Sequence, residues 1–188
     1  FSKGNYKDLG PDRHNFDKEN PELHVLARSL DGGETWKLED PGVGDGDLVV
    51  PDNGSYHGLI RKDVKAPEPI PAEQIDFTHP NLAFTVRMTD HHGAESRIWY
   101  SYDRGKDWKG PFGLPNFGTP GIGARTDYII DSRNECMLFL TAAKANGKEG
   151  RVMCVKTIDG GKNWDFVAWI GPEPEGFSIM PASVRISD

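Results

Sequence analysis

The chain has 188 residues and a formal net charge of −7, from 22 Lys and Arg against 29 Asp and Glu; that balance argues against a non-specific nucleic-acid binder and a polybasic membrane-surface protein. Its longest apolar stretch, Cys136 to Ala143, falls far short of the ~20 residues that span a bilayer. The 22 Gly and 14 Pro mark a turn-rich chain below low-complexity composition, and five Trp with nine Phe oppose disorder.

In chain order, the first expected strand runs from Leu23 to Ala27 and feeds the turn sequence Ser29 to Trp36. A Pro- and Gly-rich insertion follows over Pro41 to Ala72, with an expected extra hairpin at Leu48 to Val50 and Leu59 to Arg61. Asn53-Gly54-Ser55 is a glycosylation sequon only if the source glycosylates. Phe84 to Asp90 reads as a strand, His91-His92-Gly93 as a solvated loop, and Arg97 to Tyr100 as a strand before a second turn at Ser101 to Trp108. Arg125 to Asp131, Met137 to Thr141 and Arg151 to Lys156 read as further strands, the last entering a third turn at Thr157 to Trp164. Ala182 to Asp188 repeats the Ser/Thr-Val-Arg-apolar-Ser/Thr-Asp pattern of Thr85 to Asp90. Helical periodicity is nowhere sustained, so almost no helix is expected.

The three turns share Ser/Thr-x-Asp-x-Gly-x-x-Trp: Ser29, Asp31, Gly33, Trp36; Ser101, Asp103, Gly105, Trp108; Thr157, Asp159, Gly161, Trp164. The Asp side chain is suited to accept backbone N–H groups just after it, and the preceding hydroxyl adds a second such bond. The Gly supplies the positive φ of a tight hairpin. The Trp is expected to bury its ring under the turn, with its N–H needing a partner. The motif aspartates lie 72 and 56 residues apart, against ~40–50 residues for a four-stranded repeat unit, so the first interval holds an insertion.

This motif is the Asp-box, or BNR repeat, and through it the chain resembles the sialidase (neuraminidase) superfamily over roughly residues 20–188. The resemblance implies an all-β fold, a β-propeller of four-stranded antiparallel blades, six-bladed in the enzymes, with the box between a blade's third and fourth strands. About three blades are expected: residues 1–40 ending one, 41–76 an insertion, 77–118 and 121–176 two blades, and 179–188 the first strand of the next. A ring must close on itself, so the chain is expected to be a fragment of a longer protein.

The resemblance also implies function: a glycosidase, an exo-sialidase-like hydrolase removing terminal sialic acid or a related acidic sugar. The alternative is a non-catalytic Asp-box propeller that binds a glycan or a protein; a third reading is a glycosidase for neutral polysaccharides, marked by paired carboxylates and no arginine cluster. Sialidases clamp the substrate carboxylate with three arginines, because a guanidinium fork matches a carboxylate and stays charged. They use a Tyr nucleophile, since the anomeric carboxylate would repel an anionic one, and an Asp as acid/base. Arg87, Arg125 and Arg185 are the candidate clamp, or structural partners of Asp90, Asp127 and Asp188. Asp127, Tyr128 and Glu149 are the candidate catalytic residues; in a regular strand, Asp127 and Tyr128 point to opposite faces. The box aspartates are read as structural staples. The six His have no metal-ligand spacing, and neither metal nor cofactor is expected. A carbohydrate partner is expected, with no nucleic acid and no membrane span, in a secreted or periplasmic setting by resemblance alone. Cys136 and Cys154 read as two small thiols, with a bridge left open.

Overall fold

A computed structural model of the chain describes residues 6–11, 26–39 and 65–186, together with strand residues 2–3, 14–16, 23–24, 55–56 and 59–60. It divides into two units, Phe1–Val50 and Pro51–Asp188. The described residues form antiparallel β-sheets and contain no helix.

The first unit holds six short strands: β1 (Ser2–Lys3), β2 (Tyr6–Asp8), β3 (His14–Phe16), β4 (Leu23–His24), β5 (Leu26–Arg28) and β6 (Lys37–Glu39). They make three two-stranded ladders, β1 with β4, β2 with β3 and β5 with β6. The first Asp-box is the turn of the β5–β6 hairpin. The expected strand from Leu23 to Ala27 is therefore two short pieces serving different ladders.

The second unit begins with β7 (Ser55–Tyr56) and β8 (Leu59–Ile60), a minimal hairpin. Its expected first arm, Leu48 to Val50, lies outside the described residues. Strands β9 (Ala83–Met88), β10 (Ser96–Ser101) and β11 (Lys109–Gly113) form a three-stranded sheet with β10 in the middle. Strands β12 (Ile122–Ile130), β13 (Cys136–Ala143), β14 (Glu149–Thr157) and β15 (Asp165–Trp169) form a four-stranded up-and-down sheet in chain order. The second and third boxes join β10 to β11 and β14 to β15. Residues 121–176 thus contain four antiparallel strands with the box before the last.

Two expectations need correction. The span 77–118 contributes three strands to its sheet, because β9 pairs directly with β10 and leaves no room for another strand between them. Residues 179–186 form no strand; they are tied to β12 by side chains instead.

The two larger sheets stack through one apolar core. Ile98, Tyr100 and Phe112 come from the three-stranded sheet, and Leu138, Leu140, Met153 and Val155 from the four-stranded one. Phe84 and Val86 pack against them, so the even-numbered residues of β9 and β10 face the second sheet. Leu138, Leu140, Met153 and Val155 are fully buried; burying each such side chain contributes ~1.5–3 kcal/mol. The segment before β9 seals the seam. Ile75 and Phe77 are buried, the Ile75 N–H donates to Gly160 O (2.8 Å) and the Phe77 N–H to Arg133 O (2.9 Å). Gly160 has φ 75°, and a Cβ there would lie 2.6 Å from Gln74 Cγ and 2.9 Å from Ile75 O, so the close approach requires glycine.

Candidate functional site

The Asp-box turns show the same bond pattern three times. In the first, the Asp31 carboxylate accepts the Ser29 hydroxyl (2.8 Å), the Thr35 N–H (2.9 Å) and the Thr35 hydroxyl, while the Gly33 N–H donates to Ser29 Oγ (2.7 Å). In the second, Asp103 accepts the Ser101 hydroxyl (2.6 Å) and the N–H groups of Lys106 (2.9 Å) and Asp107 (3.0 Å). In the third, Asp159 accepts the Thr157 hydroxyl (2.9 Å), the Asn163 N–H (3.0 Å) and Asn163 Nδ2 (2.7 Å). Bonds from the Thr35 side chain and N–H and from Ser29 hold Asp31 far below the usual carboxylate range. Asp103 is lowered first by Ser101. At Asp159, burial pushes upward and is outweighed by the bonds from Asn163 and Thr157. All three carboxylates are thus ionised and taken up by their own turns.

The tryptophans divide. Trp164 is buried and Trp36 is 62% exposed. The Trp36 N–H donates to Gly33 O (3.0 Å), whereas the buried indole N–H groups of Trp108 and Trp164 have no hydrogen-bond partner. The expectation that each ring lies under its turn with a bonded N–H fails at all three boxes in one respect or the other.

Asp127 and Tyr128 lie on β12 just after a register shift that begins at Gly123. They point to opposite faces. Tyr128 is cross-strand from core residue Leu138 and makes an edge-to-face contact with Phe84 (centroids 5.4 Å apart). Tyr128 is 41% exposed, and partial desolvation first, then the neighbouring Cys136 and Asp127, raises its hydroxyl pKa, away from a phenolate nucleophile. Asp127, on the other face opposite Phe139, accepts the Ser183 hydroxyl (2.7 Å) and the Ser183 N–H at Oδ2, and the Tyr128 N–H (2.9 Å) at Oδ1. The Ser183 bonds hold this carboxyl below its ordinary range, the reverse of what a general acid needs.

Arg87 and Arg185 hold separate positions. Arg87 lies on β9 opposite Arg97, on the face turned away from the four-stranded sheet. Arg185 donates to Asp131 Oδ1 (2.6 Å) and Ile130 O (3.3 Å), on the far side of the stack. Arg125 lies within the register-shifted stretch of β12, and its side chain lies outside the described atoms. Arg87 and Arg125 also do not hold matched strand positions: β9 neighbours the strand that enters its box, whereas β12 is two strands removed from its own. Glu149 opens β14 in a buried position. Its N–H donates to His92 Nδ1 (3.2 Å), which assigns the proton of a neutral His92 ring to Nε2.

Sequence reasoning passed over three groups. Ser183 locks Asp127. Lys144, almost fully buried, donates to the carbonyls of Pro174 (3.3 Å), Glu175 (3.3 Å) and Gly176 (2.7 Å) and pins the segment after β15. Arg97, 4% exposed, was within reach of a simple comparison: it stands four residues before its box serine, where the next repeat has Met153 before Thr157. Cys136 and Cys154 are both free and buried; burial pushes the Cys136 thiol up to about 12 and raises that of Cys154. Among the described residues no helix is long and apolar enough to cross a membrane, and no cluster of His, Cys, Asp and Glu has metal-binding geometry.

Comparison with known proteins returns no matching family model and no matching curated protein.

Proposed function

We propose that this chain supplies consecutive blades of an Asp-box β-propeller of the sialidase type, and that the propeller recognises a glycan bearing an acidic sugar. The observation that carries the blade reading is the head-to-tail way in which the two larger sheets stack. The box residues Ser101 and Thr157 pair with Ala83 and Cys136, which aligns β9–β11 with β13–β15 residue by residue. In that alignment the core uses opposite faces of the two sheets: Ile98 and Tyr100 on one, Met153 and Val155 on the other. Each sheet therefore offers its neighbour the face its neighbour does not offer back. Head-to-tail stacking of this kind propagates, and closes into a ring if the rotation permits.

Between the two activities, recognition without turnover has a specific observation behind it. Asp127 is held ionised by Ser183, and Tyr128 projects from the other face of the strand, so this pair does not assemble an acid and a nucleophile. The hydrolase reading stays testable. The chain is incubated with a fluorogenic sialoside, and binding of sialylated and neutral oligosaccharides is measured in parallel by calorimetry. Saturable binding of the sialylated ligand without fluorophore release supports the recognition reading. Release of fluorophore that disappears in Asp127→Ala overturns it in favour of the hydrolase. Binding of neither ligand removes the acidic-glycan assignment.

A further inference from the structure

The chain after β15 turns back over its own sheet. Lys144 Nζ holds the carbonyls of Pro174, Glu175 and Gly176. The Ser178 N–H then donates to Gly150 O (2.9 Å) near the start of β14. Phe177 lies against Gly150, where a Cβ would meet its Cδ1 at 3.0 Å. Five residues after Ser178, Ser183 bonds to Asp127 on β12 through its N–H and its hydroxyl (2.7 Å). Arg185 follows, donating to Asp131 Oδ1 (2.6 Å) and Ile130 O (3.3 Å).

These anchors fix the path between them. β13 separates β14 from β12, so the two lie about 10 Å apart. Asp127 is level with Phe139, and Gly150 with the step from Ala142 to Ala143, roughly 12 Å further along the strands. The diagonal is about 15 Å, and five residues of extended chain reach about 17 Å, which leaves no slack for a detour. Residues 178–183 therefore cross β13 at Thr141, on the face turned away from β9–β11, because Leu138 and Leu140 take the core face. Thr141 is 0% exposed, and its cross-strand partner Val152 is buried.

The crossing carries two built-in costs. Thr141 Oγ1 is sealed from solvent with no hydrogen-bond partner, which is unfavourable. Met180, midway across, has φ 55°, a left-handed conformation that opposes a side chain; strain of this kind gathers at switch regions. The return is small. Phe177, Met180, Val184 and Ile186 are all more than half exposed. Among the described residues, the segment 177–186 makes one backbone–backbone hydrogen bond, at Ser178.

We propose that residues 177–186 are a latched strap. Closed by Asp127 and Asp131, it covers Thr141 and Val152; it opens as a unit from the carbonyls held by Lys144 while both sheets stay folded. Segments with few buried apolar contacts and little backbone bonding open at lower free energy than a central ladder. The strap thereby controls access to the second face of the four-stranded sheet, the one that head-to-tail stacking leaves for a further sheet. That consequence rests on the blade reading; the strap itself draws on neither the blade nor the glycan reading.

The test is amide hydrogen exchange by NMR on the full chain. Hydrogen bonds to a charged group carry about a 10- to 100-fold effect, so the Ser178 N–H is expected to exchange that much faster in Asp127→Ala, although its own acceptor, Gly150 O, is untouched. The Leu138 and Leu140 amides of β13 keep their wild-type rates. Ser183→Ala, which removes the hydroxyl bond alone, shows a smaller change in the same direction and serves if Asp127→Ala does not fold. A Thr141→Cys thiol, located by peptide mass, is protected from an aromatic disulfide reagent with the latch intact and labelled without it. Unchanged Ser178 exchange in the latch variants overturns the proposal, as does an equal acceleration in β13 or labelling of the Thr141→Cys thiol with the latch intact. None of these readouts needs a further sheet to bind, so failure of the blade reading leaves them unchanged.

Discussion

Asn81 and Asn134 are structural equivalents. Each stands two residues before the strand that neighbours its box strand, and each presents its backbone carbonyl to the residue after the box aspartate: the Arg104 N–H donates to Asn81 O (3.1 Å), the Gly160 N–H to Asn134 O (2.9 Å). The Asp-box is therefore more than a local turn. It is clasped to the turn that begins the adjacent strand, so the box holds two strand connections together.

The hydroxyl at the head of each box is a stability determinant. Thr157 is 1% exposed, and its Oγ1 accepts the buried Gly161 N–H (2.8 Å) while donating to Asp159. Thr157→Val keeps the shape and removes both bonds, leaving the Gly161 N–H unmatched. The expected loss is ~1–3 kcal/mol, read from the midpoint of a denaturant melt; an unchanged midpoint would show that the turn is held by Asp159 alone.

Gly121 is fixed by sterics rather than by φ. A Cβ there would fall 2.4 Å from Gly93 C and 2.5 Å from Ala94 N, both backbone atoms of the approach to β10. Gly121→Ala must push these segments apart, and with them the Ile122 N–H to Ala94 O bond (2.8 Å). Overpacking of this kind costs ~1–3 kcal/mol or more. Gly147→Ala is the control for lost glycine at positive φ, since a Cβ there meets nothing within 4 Å; the clash at Gly121 is expected to cost more.

Acid sensitivity follows from the boxes and from Asp127. The carboxyls of Asp31, Asp103, Asp127 and Asp159 are all lowered from 3.8 by bonds that exist only in the folded chain. Lowered folded values mean the contribution is complete above about pH 4 and is lost as pH falls through the folded values. Melting temperature is expected to be flat from pH 7 to about 5 with respect to these groups and to fall below about 4. Asn at Asp103 and Asp159 should flatten that acid limb, and a limb of unchanged steepness in the double variant would assign it to other carboxyls.

The two cysteines are expected to be inert while the chain is folded. Both are buried with raised pKa values, and the thiolate is the reactive species. An aromatic disulfide reagent should label neither thiol in native buffer at pH 8 and both in denaturant. Fast labelling of one thiol in the folded chain would contradict its burial.

The boxes were legible because their chemistry is local. Each bond of the motif links residues within four positions of one another, so spacing alone dictates it. The strands entering the second and third boxes were legible too, whereas the expected Leu23 to Ala27 strand before the first is split between two ladders. Register between distant strands was not: Thr85 to Asp90 and Ser183 to Asp188 look alike in sequence, yet Arg87 sits on a paired strand and Arg185 on a segment tied by side chains to Asp131. A short pattern repeats without repeating its partner.

What the sequence by itself determined is the repeating unit: three hairpin turns with an ionised aspartate at the head, set in an acidic all-β chain. That follows because hydrogen bonds between near neighbours need no tertiary help. Only the tertiary structure decided which faces those hairpins bury. Side-chain alternation gives every strand two faces of similar composition, and the choice between them depends on what stacks against it. That choice puts Asp127 under Ser183, turns Tyr128 toward Phe84, and seals Arg97, a charged residue, where its counterpart in the next sheet is a core methionine.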